Sequence, residues 1–342
     1  MALTTMLAGG LAGTLAGCGG GGASGPHAGD DAPPGDDAPP PTDAGFPAPA
    51  LGFQVQTPTL QLNPGDDLTF CYYFHMPNKA ELAIRGWESL ASIGLQNLVV
   101  FQTPTDLKTP GTLSTEQCGF KSSNLLPPPL WTYSSTNVDP SSEHRDSAML
   151  PDDAGAPDHN HVAQVIAPGQ PAFIQMHFVN PTANVVEASL KLNALAYDDA
   201  ASAKITRAST FITYDTSIDL ASGASATVQG NCTVPATLNF FSVAVHTYRQ
   251  GTEVHMLDGT TSYYDGGNWT MQAPKVVTTP YTFTSGKLTY QCKYTNLNGY
   301  RVKSGDNEGS DDTCMAVGFY VTAAGNVQGG YCANGAILIA PQ

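Results

Sequence analysis

The sequence predicts an all-β protein with two antiparallel, jelly-roll-like β-sandwich domains in tandem. Only 13% of the 342 residues are charged, whereas Thr, Ser, Asn, Gly and Pro are abundant. Helices rely on Glu, Lys, Arg and Leu, so this composition favours strands. From Leu51 onwards, short apolar runs alternate with turns rich in Gly, Pro, Asn and Asp, which is the pattern of short antiparallel strands.

Residues 1–18 are predicted to be a lipoprotein signal peptide. They are mostly apolar and small, and they end in Leu15-Ala16-Gly17-Cys18, which resembles the lipobox of bacterial lipoproteins. The stretch is too short and too rich in glycine to be a good membrane-spanning helix. Cys18 would carry the lipid, and Gly19 after it favours the outer membrane of a Gram-negative cell. We therefore expect an exported, lipid-anchored protein at the outer membrane or cell surface.

The rest of the chain divides into a linker and two domains. Residues 19–50 contain the run DDAPPGDDAPPP and are predicted to be a disordered acidic linker. A boundary near residues 203–208 gives an N-terminal domain at 51–205 and a C-terminal domain at 206–342, both of normal size. With 14 Lys and Arg against 29 Asp and Glu, the net charge of −15 repels phosphate backbones and excludes nucleic acid as a partner.

The cysteine content predicts disulfide bonds. Without Cys18, an even number of cysteines remains, which in an exported chain is typical of a disulfide framework. The cysteines lack the CxxC spacing of a zinc ribbon, and their number alone leaves fifteen pairings open. These cysteines are Cys71, Cys118, Cys232, Cys292, Cys314 and Cys332.

The segment 241–256, FSVAVHTYRQGTEVHM, is predicted to be a β-hairpin that turns at Gln250-Gly251. That turn would place His246 opposite His255 on neighbouring strands. Two imidazoles, a phenol and a carboxylate on one face would suit copper(II) or zinc, and the alternative is an exposed polar face without metal. The four side chains on this face would be His246, Tyr248, Glu253 and His255.

Two other places contain candidate metal ligands. His159 and His161 lie in a polar loop, and the alternative for them is an exposed loop without metal. His177 stands alone in an apolar run, where the simpler interpretation is a hydrogen-bonded histidine at a domain face. The acidic residues close to the loop histidines are Asp152, Asp153 and Asp158.

Several segments together resemble the family of copper type II, ascorbate-dependent monooxygenases, which includes peptidylglycine α-hydroxylating monooxygenase and dopamine β-monooxygenase. The similarity extends from about Gln54 to Cys332, with the motifs in the order and at the spacings of the family. The segments that carry it are LTFCYYFHMPNKAELAIRGWESLASIGLQNLVVFQTP, IQMHFVNPT, SVAVHTYRQG, YQCKYTN and SDDTC.

The resemblance implies a fold, a reaction and a disulfide pairing. Each of two β-sandwich domains would bind one copper ion, and the enzyme would insert one oxygen atom of O2 into a C–H bond of a small-molecule or peptide substrate. Ascorbate would supply the electrons. The implied disulfides are Cys71–Cys118, Cys232–Cys332 and Cys292–Cys314.

The copper ligands implied by the resemblance are only partly retained. His177 and His246 match family histidines. An adjacent histidine pair of the family falls on Gln96-Asn97, another histidine on Tyr248, and the methionine on Thr313. Amides bind copper far less well than imidazoles, and a threonine hydroxyl does not replace a thioether.

The sequence is therefore compatible with three functions. The first is a copper monooxygenase with impaired copper sites, and the second is a catalytically inactive binding module on the cell surface. The third is a metal-binding protein that uses His246 and His255. The substrate and the oligomeric state are left open.

Overall fold

Strands account for most of the chain, as the composition predicts. The computed structural model describes residues 45–116, 118, 129–151, 161–202, 204–305, 307, 309–322 and 329–341. Within these residues, helix is confined to one four-residue segment, and the predicted all-β class is confirmed. The predicted signal peptide with Cys18, residues 19–44 of the predicted linker, and four residues of the predicted loop site lie outside the described residues. Those four are Asp152, Asp153, Asp158 and His159.

The N-terminal half of the described chain consists of short and medium strands joined by turns. They are β1 (Gly52–Gln56), β2 (Leu60–Leu62), β3 (Asp67–His75), β4 (Leu82–Ala91), β5 (Leu95–Gln102), β6 (Leu113–Ser114), β7 (Leu130–Thr136), β8 (His144–Met149), β9 (His161–Ile166), β10 (Pro171–Val179), β11 (Val186–Ala188) and β12 (Leu190–Ala196).

The C-terminal half follows the short helix α1 (Asp199–Ser202). Its strands are β13 (Ile205–Asp215), β14 (Asp219–Leu220), β15 (Ser225–Thr233), β16 (Leu238–His246), β17 (Gly251–Asp258), β18 (Thr261–Gly266), β19 (Lys275–Tyr281), β20 (Lys287–Thr295), β21 (Val302–Lys303), β22 (Cys314–Thr322), β23 (Gly330–Ala333) and β24 (Ala336–Ile339).

Three larger sheets and two two-stranded sheets, β2 with β11 and β14 with β21, build the described fold. The long sheet has the order β1-β12-β4-β9-β13-β22-β16-β19, with β8 paired to β4 and β23 paired to β13. The five-stranded sheet has the order β6-β3-β10-β5-β7, and the four-stranded sheet has the order β15-β20-β17-β18. Most neighbours are antiparallel, but β13 runs parallel to β9 and to β23. Strand β13 thus connects the two halves within one sheet.

Two hydrophobic cores lie inside two β-sandwiches. In the N-terminal half, Trp87 and Met176 are buried between the long sheet and the five-stranded sheet. In the C-terminal half, Phe240 and Tyr290 are buried between the long sheet and the four-stranded sheet. The described part of Gly45–Gln342 belongs to one compact unit. The division into two domains at 51–205 and 206–342 stays a prediction.

A third core lies where the two halves meet. It contains Phe101 and Phe173 from the five-stranded sheet and Phe241 and Phe319 from the long sheet. The ring centroids of Phe101 and Phe173 are 4.9 Å apart, and those of Phe241 and Phe319 are 6.0 Å apart. Strands β10 and β22 are therefore buried on both faces, which explains why their sequences are almost continuously apolar.

The three disulfides agree with the predicted pairing, which is confirmed. The bonds are Cys71–Cys118, Cys232–Cys332 and Cys292–Cys314. Their Cα atoms are 5.3, 6.4 and 5.8 Å apart, within the usual range for disulfides. Such bonds persist in oxidising compartments, so they indicate an exported or extracellular protein. In the described residues, no helix has the length and apolar character needed to cross a membrane.

The predicted hairpin at 241–256 is wrong. Strand β16 pairs with β22 and β19 in the long sheet, whereas β17 pairs with β20 and β18 in the four-stranded sheet. The chain crosses from one sheet to the other at residues 247–250. Each strand has an apolar face, with Val243 and Val245 on β16 and Val254 and Met256 on β17. In facing sheets both apolar faces contribute to the same core, which explains why the strands do not pair side by side.

Candidate functional site

The third core is incompletely filled, and a cleft of about 600 Å³ remains between the two halves. One wall belongs to β5, β7 and β10 of the five-stranded sheet, and the other to β16 and β22 of the long sheet. Side chains from the two walls include Val99 and Gln175 on one side and Ala244 and Val317 on the other. The volume lies within the range of small-molecule sites.

Most of the cleft surface is apolar or aromatic. The rings of Trp131 and Phe319 have centroids 4.7 Å apart, and Phe319 also stacks on Phe241. The apolar lining continues to the surface, where Met149 and Val276 are large exposed hydrophobic residues. An exposed apolar region that leads into a cavity is typical of a binding site.

Polar side chains interrupt this apolar lining, and one group of them consists of Asn97, Gln175, His246 and Tyr248. The rings of His246 and Tyr248 contact each other edge to face, with centroids 5.7 Å apart. Gln175 is only 4% exposed, and its Oε1 atom has no hydrogen-bond donor among the described residues. Asn97 completes the group. The cleft thus combines apolar walls with a few buried polar atoms, which is the usual composition of a ligand site.

A buried carboxylate fixes the turn that carries Tyr248. Asp312 Oδ1 accepts the backbone N–H groups of Tyr248, at 2.8 Å, and of Thr313, at 2.7 Å. Its Oδ2 atom accepts the N–H of Gln250 at 2.9 Å. The backbone N–H of Gly251 donates to the carbonyl of Tyr248 and closes the turn. The turn signal in the sequence is therefore at the right place, although the turn joins two sheets.

The same turn links the two halves. Arg249 Nη2 donates to Oε1 of Gln96 at 2.9 Å. Nearby, His177 Nε2 donates to Oδ1 of Asp67 at 2.6 Å, and His177 is almost fully buried. The hydrogen bond from His177 is the main reason that the pKa of Asp67 is lowered, and the charges of His177 and Arg249 lower it further against the opposing effect of burial. The simpler interpretation of His177 as a hydrogen-bonded histidine agrees with this contact.

The residues at the family's copper-ligand positions do not fit a copper site. His177 Nε2 is engaged by Asp67, and Gln96 Oε1 is engaged by Arg249. Thr313 is fully buried and supplies a carbonyl to the Tyr294 hydroxyl at 2.7 Å. Among the described residues, no group of three or more His, Cys, Asp or Glu side chains is arranged to hold a metal ion.

Met315 is the residue whose position the sequence reasoning missed. It lies directly opposite His246 on the neighbouring strand, and both line the cleft. Met315 lies on β22, which is buried on both faces and therefore lacks alternation between polar and apolar residues. The sequence thus does not indicate which face of the strand carries Met315. One imidazole and one thioether are too few donors to hold a copper ion by themselves.

His255 lies away from the cleft, in the four-stranded sheet. Its Nε2 atom is 2.7 Å from Oε1 of Glu253, and its Nδ1 atom is 2.5 Å from Oδ1 of Asp265. Glu253 also pairs with Lys293 at 2.7 Å, and the hydrogen bond from Lys293 is the main reason that the pKa of Glu253 is lowered. The predicted set of His246, Tyr248, Glu253 and His255 therefore does not share one face of paired strands, and metal binding by these histidines has no support from strand pairing.

The candidate metal site in the polar loop with His159 and His161 lies only partly within the described residues. His161 begins β9, and its ring stacks on Tyr197 with centroids 4.8 Å apart. Its predicted partner His159 lies outside the described residues, so the proposed loop site stays a prediction.

Comparisons with known proteins do not assign a family. No protein-family model matches the chain, and no curated protein matches it significantly. Among solved structures, the major capsid protein P2 of bacteriophage PM2 is 8% identical with a TM-score of 0.28, and the match covers 78% of this chain and 98% of that chain. The exported protein XepA of PBSX is 9% identical with a TM-score of 0.21, covering 78% and 86%. The PBCV-1 virus capsid is 6% identical with a TM-score of 0.26, covering 82% and 98%. Similarity at this level carries no argument about function.

Replacement of the turn-holding carboxylate should destabilise the protein. We expect Asp312→Asn to lower the free energy of unfolding by about 2–4 kcal/mol. The substitution removes the negative charge and replaces one of the two acceptor oxygens by an NH2 group, which cannot accept a hydrogen bond from a backbone N–H group. Asp311→Asn, at the partly exposed neighbouring position, is the matched control. Urea unfolding followed by circular dichroism measures both. Equal stabilities of the two variants would contradict the role assigned to Asp312.

Metal binding should not depend on His246 and His255. We expect wild type, His246→Ala and His255→Ala to take up equal amounts of copper or zinc, because His246 and His255 lie in different sheets. The measurement is a titration by isothermal calorimetry, with metal content per chain after gel filtration. Stoichiometric copper in wild type that is lost in both variants, together with ascorbate-dependent hydroxylation, would show that the two histidines form a copper site.

Proposed function

We propose that this chain is a binding module that holds a small, largely apolar molecule in the cleft between its two halves. The observation that carries the proposal is the cleft itself, a 600 Å³ space with aromatic walls that opens to the surface through an apolar rim. Because the cleft is open, its apolar walls stay in contact with water, and a bound apolar molecule would remove that surface from water.

The chemistry of the aligned ligand positions favours a binding module over a copper monooxygenase. Of the six positions that the family resemblance aligns with copper ligands, four carry amides, a phenol and a hydroxyl. Among the six, His177 Nε2 is bound to Asp67 and Gln96 Oε1 is bound to Arg249. Ascorbate-dependent hydroxylation is accordingly expected to be weak or absent. The fold of the family would be retained as a scaffold for binding.

We also propose that the module is tethered to the outer membrane of a Gram-negative cell. The lipobox-like sequence before Cys18 and the acidic linker support a lipid anchor, and the disulfides fit an oxidising compartment outside the cytoplasm. The linker would hold the cleft away from the lipid surface.

The lipid anchor predicts processing at Cys18. In cells that express the full chain, globomycin should cause the unprocessed precursor to accumulate, and labelled palmitate should enter wild type but not Cys18→Ser. Membrane fractionation of both proteins completes the test. A soluble, unlabelled wild-type protein would contradict the anchor.

Binding in the cleft is tested with a fluorescent probe. N-phenyl-1-naphthylamine is neutral, apolar and brightly fluorescent only in apolar surroundings, and we expect saturable binding to the full-length protein. Ser134→Trp should reduce the affinity at least about tenfold, because Ser134 pairs with Val99 and both line the cleft.

The matched control is Thr227→Trp at an exposed position of β15 in the four-stranded sheet, which does not line the cleft. It should bind the probe as wild type does, and circular dichroism should show that both variants are folded. Absence of saturable binding in wild type, or equal binding by both variants, would refute the proposed function.

A further inference from the structure

We infer that the cleft selects neutral aromatic ligands that carry a carbonyl oxygen, which accepts a hydrogen bond from Nε2 of Gln175. The inference rests on the proposed function and names the class of ligand. The class comprises aryl ketones, aryl esters and aryl amides.

Gln175 belongs to the middle strand of one cleft wall. It pairs in register with Val99 of β5 on one side and with Cys71 of β3 on the other. Its neighbours along β10, Ile174 and Met176, belong to the N-terminal core, so alternation points Gln175 to the opposite face, towards the cleft. The strand therefore fixes the backbone of Gln175, and its side chain lines the cleft.

The two ends of the Gln175 amide group have different surroundings. Oε1 has almost no accessible surface, so a molecule in the cleft does not reach it. Nε2 is the accessible atom of the amide group, and it has no hydrogen-bond acceptor among the described residues. Because polar groups of side chains as buried as Gln175 usually have a partner, the unpaired Nε2 group marks a place where a ligand can supply one.

The chemistry of Nε2 determines which ligand atom fits beside it. An amide NH2 group donates hydrogen bonds and does not accept them, so the complementary ligand atom is an acceptor such as a carbonyl oxygen. Water in an open cleft can play the same role when no ligand is bound. A ligand that displaces this water without bringing an acceptor would leave Nε2 unpaired in apolar surroundings, which is unfavourable. The cleft should therefore discriminate against ligands of equal shape that lack the acceptor.

The surrounding charges favour an acceptor without a charge. Asp146 is the only residue with a full negative charge among the described lining residues. Neither Lys nor Arg lines the described cleft, so a ligand carboxylate or phosphate would find no counter-charge. The net charge of −15 adds a general repulsion of anions. A neutral carbonyl group meets both requirements, because it accepts a hydrogen bond and carries no charge.

The walls favour flat, aromatic ligands. Trp131 belongs to one wall, and Phe241 and Phe319 belong to the other. Aromatic rings stack in offset or edge-to-face arrangements, and such contacts add to the gain from burying apolar area. Ring-lined walls together with one unpaired donor define the ligand class.

The test compares two molecules of nearly equal shape that differ in the acceptor. In 2-acetylnaphthalene a carbonyl oxygen occupies the place that a CH2 group occupies in 2-isopropenylnaphthalene. Both are measured by displacement of N-phenyl-1-naphthylamine from the full-length protein. We expect wild type to prefer the ketone by about five- to tenfold, which is the effect of one hydrogen bond between neutral groups.

Substitution of the donor should abolish this preference. In Gln175→Leu the ratio of the two affinities should fall to about one, chiefly through weaker binding of the ketone. Gln175→Met repeats the test with a side chain of similar length, and circular dichroism shows that the variants are folded. Gln102→Leu, in the neighbouring strand β5 but outside the cleft, is the control and should keep the preference.

A spectroscopic measurement reports the hydrogen bond directly. The fluorescent ketone 6-propionyl-2-(dimethylamino)naphthalene emits at longer wavelength when its carbonyl oxygen accepts a hydrogen bond. We expect the emission of the bound ketone to shift to shorter wavelength in Gln175→Leu and Gln175→Met, and to stay at the wild-type position in Gln102→Leu. An unchanged emission in both Gln175 variants would refute the contact with Nε2.

The outcomes separate the two proposals. If wild type binds the ketone and its hydrocarbon counterpart equally and Ser134→Trp blocks both, the proposed function stands and the role of Gln175 is refuted. A preference for the ketone that persists in Gln175→Leu and Gln175→Met also refutes that role. If none of the probes binds saturably to wild type, both proposals fail.

Discussion

The buried carboxylate of Asp312 is the contact on which the geometry of the cleft depends. By accepting three backbone N–H groups, it holds the crossover at residues 247–250 between the long sheet and the four-stranded sheet. The crossover presents Tyr248 to the cleft and sends Arg249 to Gln96 in the other half. The carboxylate thus orients both Tyr248, which lines the cleft, and Arg249, which bonds to the other half. A carboxylate suits this role because hydrogen bonds to a charged acceptor are stronger than those to a neutral one.

The cleft follows from the way in which the halves share a core. Strands β10 and β22 bury one face in a sandwich and turn the other face towards the opposite half. The third core is closed by aromatic packing of Phe101, Phe173 and Trp131, whereas the region near Arg249 and Asp67 is closed by hydrogen bonds and charge. The cleft left between the two walls is lined in part by small side chains, such as those of Ser134 and Ala244. A site of this kind needs no special loop, because the two sheets themselves form its walls.

The sequence predicts the fold class and the disulfides better than it predicts the site. Composition and alternation identify strands because they report which residues share a face, and the family resemblance supplied the pairing of the cysteines. Alternation does not report which sheet a strand joins, so His246 and His255 were predicted to be opposite although β16 and β17 lie in different sheets. Gln175 had a detectable signal, since it is a polar residue in the apolar run FIQMHF. Its lack of a hydrogen-bond donor depends on long-range packing and is visible only in the structure.

The positions that resemble copper ligands have structural roles in this chain. Gln96 receives Arg249 from the other half, the backbone of Tyr248 is held by Asp312, and buried Thr313 receives the Tyr294 hydroxyl. A histidine at position 96 would lose the amide oxygen that Arg249 uses, and ligation of a metal by His177 Nε2 would compete with its bond to Asp67. Metal binding would therefore compete with these contacts for the side chain at position 96 and for His177 Nε2. An amide at position 96 and an arginine at position 249 are mutually consistent, because the amide oxygen accepts the hydrogen bond that the guanidinium group donates.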